Sequence, residues 1–116
     1  MSNKKIRTRE QILEEVIYSQ SQTSDFDISD VHNGTIIEVD CTSGNITITV
    51  PPSVRRGFSC VIDRVDGSAN EIDIAAGSGA SILSPAGLKL LNEGDQAVLR
   101  KRESLTNFRL SGNLSA

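Results

Sequence analysis

Apolar side chains recur at every second position through most of this sequence, and that period admits few folds. Ile37, Val39 and Cys41 alternate with Glu38 and Asp40; Ile46, Ile48 and Val50 alternate with Thr47 and Thr49; Ile72 and Ile74 alternate with Glu71 and Asp73. Successive side chains of a strand point to opposite faces, so each run buries one face and wets the other. Further strand-like pieces are Phe58–Asp63, Ile82-Leu83, Leu88–Leu90, Ala97–Leu99 and Phe108–Leu110, and Asp25–Val31 reads as a half-buried extended segment. Between them lie turn signals at Asn33-Gly34, Thr42-Ser43-Gly44, Asp66-Gly67, Gly77, Gly79, Gly87 and Gly94-Asp95, while Pro51-Pro52 ends a strand because neither residue donates to a ladder. Roughly eight strands with a turn every eight to twelve residues predict an all-β fold, a small antiparallel β-sandwich (jelly-roll-like) or barrel. Its first two runs read as a hairpin.

Only residues 1–22 depart from this pattern. Thr8 followed three residues later by Gln11 is a capping-box spacing, and it predicts a short helix from Arg9. Ile12, Leu13, Val16 and Ile17 then fall on one face, with Glu10, Glu14 and Glu15 mostly elsewhere, so the helix is amphipathic. A helix this short is unstable alone and must dock, on its own body, on other copies, or on a larger partner. The polar stretch Ser19–Ser24 reads as a linker, which divides the chain into an N-terminal helix or anchor with linker (1–22) and a β domain (23–116). The first part carries a net charge of +1 and the second −4, within a total of −3.

Composition then removes classes of function. An acidic body opposes general nucleic-acid binding, which needs clustered Lys and Arg. One Tyr (Tyr18), three Phe and no Trp leave little for base or sugar stacking. No apolar run is long enough for a membrane span, and no signal-peptide core follows the basic first nine residues. Cys41 and Cys60 lack metal-ligand spacing and read as small buried hydrophobes, with a disulfide or a reactive thiol as alternatives. His32, beside an Asn-Gly turn, is the sole histidine and reads as a turn residue rather than a catalytic base. Asp63, Asp66, Glu71 and Asp73 read as the wet face of a sheet rather than a carboxylate pair. Asp25, Asp27 and Asp30 lack the glycine of a calcium loop, and Gly77-Ser78-Gly79-Ala80 lacks the ending of a phosphate loop. No catalytic residue, metal or cofactor is expected. Arg100-Lys101-Arg102 is the one basic cluster of the body, with its outer two members on one strand face, opposite Lys101.

From Asn33 onward, the order of Ile46-Thr47-Ile48-Thr49-Val50-Pro51, Arg56-Gly57-Phe58-Ser59-Cys60-Val61, Ala75-Ala76-Gly77-Ser78-Gly79, Ser84-Pro85-Ala86-Gly87, Ala97-Val98-Leu99 and Leu110-Ser111-Gly112-Asn113-Leu114 resembles a small β domain of tailed-bacteriophage structural proteins. The resemblance implies a Trp near Phe108 and an Asp where Asn113 stands, and this chain departs from both. Domains of that kind occur as fibre tips and as head-fibre or decoration proteins, are usually trimeric, and bind rather than catalyse. A chain with a helix, a linker and a β body but no long shaft fits a capsid-bound protein better than a tail fibre. The expectation is therefore a non-enzymatic virion protein, made in the host cytoplasm and placed on the capsid surface. It would be a homotrimer held to the major capsid protein, or another virion structural protein, through Lys4, Lys5, Arg7, Arg9, Ile12, Leu13, Val16 and Ile17. The alternative is a tail-fibre-tip module that binds a receptor or host surface glycan.

Overall fold

The computed structural model describes residues 18–103 and 106–116. The predicted helix over residues 9–17 lies outside them. Nine strands account for almost all regular structure in the described part: β1 (Phe26–Asp27), β2 (Ile36–Val39), β3 (Ile46–Val50), β4 (Ser59–Arg64), β5 (Ile72–Ala76), β6 (Ser81–Leu83), β7 (Lys89–Leu90), β8 (Gln96–Lys101) and β9 (Asn107–Gly112), with one 3-10 turn at Asp30–His32. The protein is all-β. The strands form two mixed sheets, ordered β1-β3-β5-β7 and β2-β4-β8-β9-β6, which we term the short and the long sheet.

Two expectations are corrected by the pairing. The first concerns the hairpin read from Ile37–Cys41 and Ile46–Val50, because β2 and β3 belong to different sheets. The second concerns antiparallel pairing throughout, because β1 with β3, β3 with β5, β2 with β4, and β6 with β9 are parallel. Parallel neighbours need a crossover. Here the opposite sheet supplies it, since the chain passes from one sheet to the other at each step from β1 to β5 and returns one strand further on. Phe26 thus stands beside Ile48, 22 positions later. Ile36 stands beside Val61, 25 positions later, and Ile46 beside Ile72, 26 positions later. The arrangement is solenoid-like. Strands β7 and β8 then reverse direction, β7 antiparallel to β5 and β8 to β4, while β9, antiparallel to β8 and parallel to β6, resumes the direction of β4.

The corner after β2 shows why the chain leaves its sheet instead of folding back. The Cys41 amide donates to Asp66 Oδ1 at 2.9 Å, and Asn70 Nδ2 donates to the carbonyls of Cys41 (2.9 Å) and Thr42 (3.1 Å). These long-range bonds turn the backbone toward the short sheet. Residues read as linker are also engaged: Gln22 bridges to Val39, as Tyr18, just before the linker, does to Ile36, both in parallel register. Ser19 N donates to Ile36 O, Gln22 N to Glu38 O, and Asp40 N to Gln22 O. The long sheet thereby gains an edge segment at residues 18–22.

Alternation placed the core correctly. Ile37, Val39, Cys60 and Ile62 of the long sheet face Ile46, Ile48, Ile72 and Ile74 of the short one, with Phe58, Leu99, Phe108 and Leu110 completing a single cluster. Burying an aliphatic side chain of this size is worth about 1.5–3 kcal/mol.

Candidate functional site

The inward rows of the long sheet do not end in apolar residues. Cys60 and Ile62 are followed at the next inward position by Arg64, which is fully buried, and Ala97 and Leu99 are followed by Lys101, which is 8% exposed. A buried cation needs partners. Arg64 has five contacts: Nη1 donates to Leu90 O (2.9 Å), Nε to Asp66 O (3.2 Å), and Nη2 to Ser68 O (2.8 Å), Ser68 Oγ (3.3 Å) and Asp66 Oδ2 (3.2 Å). Asp66 Oδ2 also accepts from the Ser68 hydroxyl (2.6 Å) and amide (3.0 Å). Burial alone would push the Asp66 carboxyl up. The bonds from Ser68, Cys41 and Arg64 outweigh it and hold the group well below the usual carboxylate range. Lys101 Nζ donates to the carbonyls of Pro52 and Val54 and lies 6.0 Å from the Phe108 ring centroid, a cation–π contact. Both cations clamp loops between the sheets.

Asp66 is accordingly not on a wet face, as the sequence had suggested, and the four carboxylates considered together are dispersed. Asp63 lies on the outer face of the long sheet, Asp66 is buried at its end, and Glu71 and Asp73 bracket Lys89 on the short sheet at 3.0 and 2.7 Å. That bracket raises the Lys89 pKa, chiefly through Asp73 and then Glu71. His32 is buried rather than a solvated turn residue. Its Nδ1 accepts from the Ser29 amide at 3.0 Å, its ring lies 5.6 Å from that of Phe26, and burial lowers its pKa. Asp25 and Asp30 accept from the amides of Thr47 and Arg55. Among the described residues no cluster of His, Cys, Asp or Glu has the makings of a metal site. Gly77-Ser78-Gly79-Ala80 forms the turn between β5 and β6. Lys4, Lys5, Arg7, Arg9, Ile12, Leu13, Val16 and Ile17 lie outside the described residues.

Cys41 and Cys60 are buried free thiols. Burial pushes the Cys60 thiol up to about 12 and raises that of Cys41, whose sulfur also lies 3.4 Å from Asp66 Oδ1. Thiolate is the reactive species, so both should be inert to a thiol reagent in the native protein and react after denaturation. Counting modified thiols by mass spectrometry checks this, and labelling of either cysteine in the folded state would contradict it.

The outer face of the long sheet has a more pointed organisation. Strand register places Ile36, Val61 and Val98 side by side in one row, with Ser111 at its β9 end and Tyr18 at the opposite edge, bridged to Ile36. Tyr18 is 52% exposed and Val98 40%. On one side of this apolar row stand Glu38 and Asp63, paired across β2 and β4. On the other stand Arg100 and Arg109, paired across β8 and β9, with Leu83 next to Arg109 at the β6 edge. The expected placement of Arg100 and Arg102 opposite Lys101 holds, since Arg100 and Arg102 are exposed and Lys101 faces inward. Sequence spacing could not reveal that Arg109 sits directly across from Arg100. Like charges in that position are unfavourable. Neither arginine has an acidic partner among the described residues, where the ion pairs are Arg64 with Asp66 and Lys89 with Glu71 and Asp73. Arg109 Nε, though shielded from solvent, lacks an acceptor among the described residues. A cleft of about 210 Å³ next to this end is lined by Arg56, Gly57, Lys101, Arg102 and Glu103.

Comparison of the chain with protein-family models, with curated proteins and with solved structures finds no match. No helix among the described residues is long and apolar enough to cross a membrane.

Proposed function

We propose that this protein is a non-enzymatic structural component of a tailed-phage virion, a capsid decoration or head-fibre protein. Its β body faces outward as a homotrimer, and its N-terminal segment holds it to the capsid. The supporting observation is the use the body makes of its best-held polar side chains. Arg64, Asp66, Lys101 and His32 all bind backbone groups of their own chain, so they serve to fix the fold rather than to act on a substrate. What is left for contact with other molecules is surface. The aliphatic stripe of Ile12, Leu13, Val16 and Ile17, with the basic Lys4, Lys5, Arg7 and Arg9 before it, reaches the body at Tyr18, on an edge of the long sheet. A stripe of four aliphatic groups repeated in three copies gives avidity to an anchor.

Particles lacking the protein provide the test. Full-length protein should decorate them, and a variant lacking residues 1–17 should not, while keeping its β-type circular dichroism. Deleting residues 1–22 is a harsher change, because it also strips Tyr18, Ser19 and Gln22 from the edge of β2. It should lower the melting temperature further than the shorter deletion. Full occupancy by the variant lacking residues 1–17 would move attachment to the β body, and specific retention on a host glycan array without capsid binding would favour the fibre-tip alternative.

A further inference from the structure

The outer face of the long sheet carries acids, then apolar groups, then arginines, in three parallel rows that cross the strands. Neighbouring rows are two residues apart along a strand, or about 7 Å, so the acids, on β2 and β4, and the arginines, on β8 and β9, stand at least about 14 Å apart, at diagonally opposite parts of the face. That separation is too great for them to pair within one chain, and they do not. Three of the six large apolar side chains left exposed among the described residues, Tyr18, Leu83 and Val98, lie on this face. We infer that this face is where copies of the chain associate, with the apolar row toward a rotation axis and the Glu38–Asp63 row of one copy against the Arg100–Arg109 row of the next.

Symmetry makes the occupant a second copy rather than an unrelated partner. Consider a rotation axis in the face that crosses the apolar row between β4 and β8 and runs perpendicular to the line from the acids, on β2 and β4, to the arginines, on β8 and β9. Rotation about it brings the acidic side of each copy to the basic side of its neighbour, whatever the order of the axis, so every contact in the ring is of opposite sign. An axis along the line from the acids to the arginines would instead set acids on acids and arginines on arginines. The face therefore selects one orientation as well as one partner. Association would also offset the Arg100–Arg109 repulsion and give Arg109, whose Nε has no acceptor among the described residues, a carboxylate toward which to turn. A closed ring follows if the rotation closes, and a threefold axis is one that does. The inference rests on self-association alone and not on attachment to a capsid.

Sedimentation velocity of the full-length protein at micromolar concentration tests it, using variants at exposed positions. Wild type should sediment as an oligomer that weakens with added salt. Replacing Val98→Asp, the pair Arg100→Glu with Arg109→Glu, or the pair Glu38→Arg with Asp63→Arg should each weaken association roughly tenfold or more, because like charges then meet. The fourfold exchange that swaps both rows should restore it, a result that mere loss of folding or of a local contact would not give. A monomeric wild type overturns the inference and the trimer together. An oligomer indifferent to all these substitutions overturns the face but leaves the trimer standing. A dimer that these substitutions dissociate keeps the face and removes the trimer.

Discussion

Replacing Arg64→Met should lower the melting temperature by on the order of 15–25 °C, the largest effect expected of any single side chain in the described body. Removing one partner of a buried ion pair costs about 3–5 kcal/mol, and each kcal/mol moves the midpoint of a domain this size by about 4–8 °C. Methionine fills the space but donates nothing. The variant leaves Leu90 O and Ser68 O without their guanidinium donor and Asp66 with a buried, unneutralised charge. Asp66→Asn should be milder, since the amide oxygen still accepts from Cys41 and Ser68, and the double variant should cost less than the sum of the two by about 1 kcal/mol or more. Calorimetry of the four proteins measures this, and strict additivity would show that the pair does not act as a unit. The same site sets an acid limit. The folded Asp66 pKa lies below its unfolded value near 3.9, so its contribution is fully present above that pH and is lost as pH falls toward the folded value. Wild-type stability should drop below about pH 4, and Arg64→Met should show a shallower or reversed dependence.

Gly112→Ala should cost at least about 2–3 kcal/mol, a fall of about 10–20 °C in melting temperature. Gly112 has φ +139°, a conformation that residues with a side chain scarcely adopt, and it stands across from Ala97 in the β8–β9 ladder. A Cβ there would meet Gln96 O at 2.2 Å and Ala97 Cα at 2.9 Å. Both are backbone atoms of a paired strand and cannot step aside without opening the sheet. Gly44→Ala is the control: its φ is ordinary and nothing lies within 4 Å, so the change should stay within about 0.5 kcal/mol. Equal melting temperatures for the two variants would show that the β8–β9 pairing is looser than described.

The sequence disclosed the faces of strands and concealed their neighbours. Ile37 and Val39, Ile46 and Ile48, Cys60 and Ile62, Ala97 and Leu99, and Phe108 and Leu110 were legible as inward because a period of two assigns faces whatever the sheet. It says nothing about whether β2 turns back on itself or crosses to the other sheet. That choice is made by Asp66 and Asn70, 25 and 29 residues beyond Cys41. Arg64 carried a readable signal, a cation in phase with Cys60 and Ile62, as did Lys101 in phase with Ala97 and Leu99. Asp66 did not, for it follows the end of β4, where the phase no longer applies. The candidate face was half visible: Arg100 and Arg102 were placed on one side of β8 by alternation, but their alignment with Arg109, Val98 and Asp63 depends on pairing register, a property of the folded sheet.

The stacked passages between the two sheets make length adjustable in whole steps. Residues 18–22, β2 and β4 on one side, and β1, β3 and β5 on the other, repeat the same crossing, and the reversed strands β7 and β8 end the run of parallel crossings. Duplicating one crossing would add a rung to each sheet and about 4.8 Å of reach, the spacing of neighbouring strands, without altering either end. It would also lengthen each outer-face row by one residue, so a longer relative built this way would carry the same stripes over a greater length. The extent of the stack is set by the number of crossings.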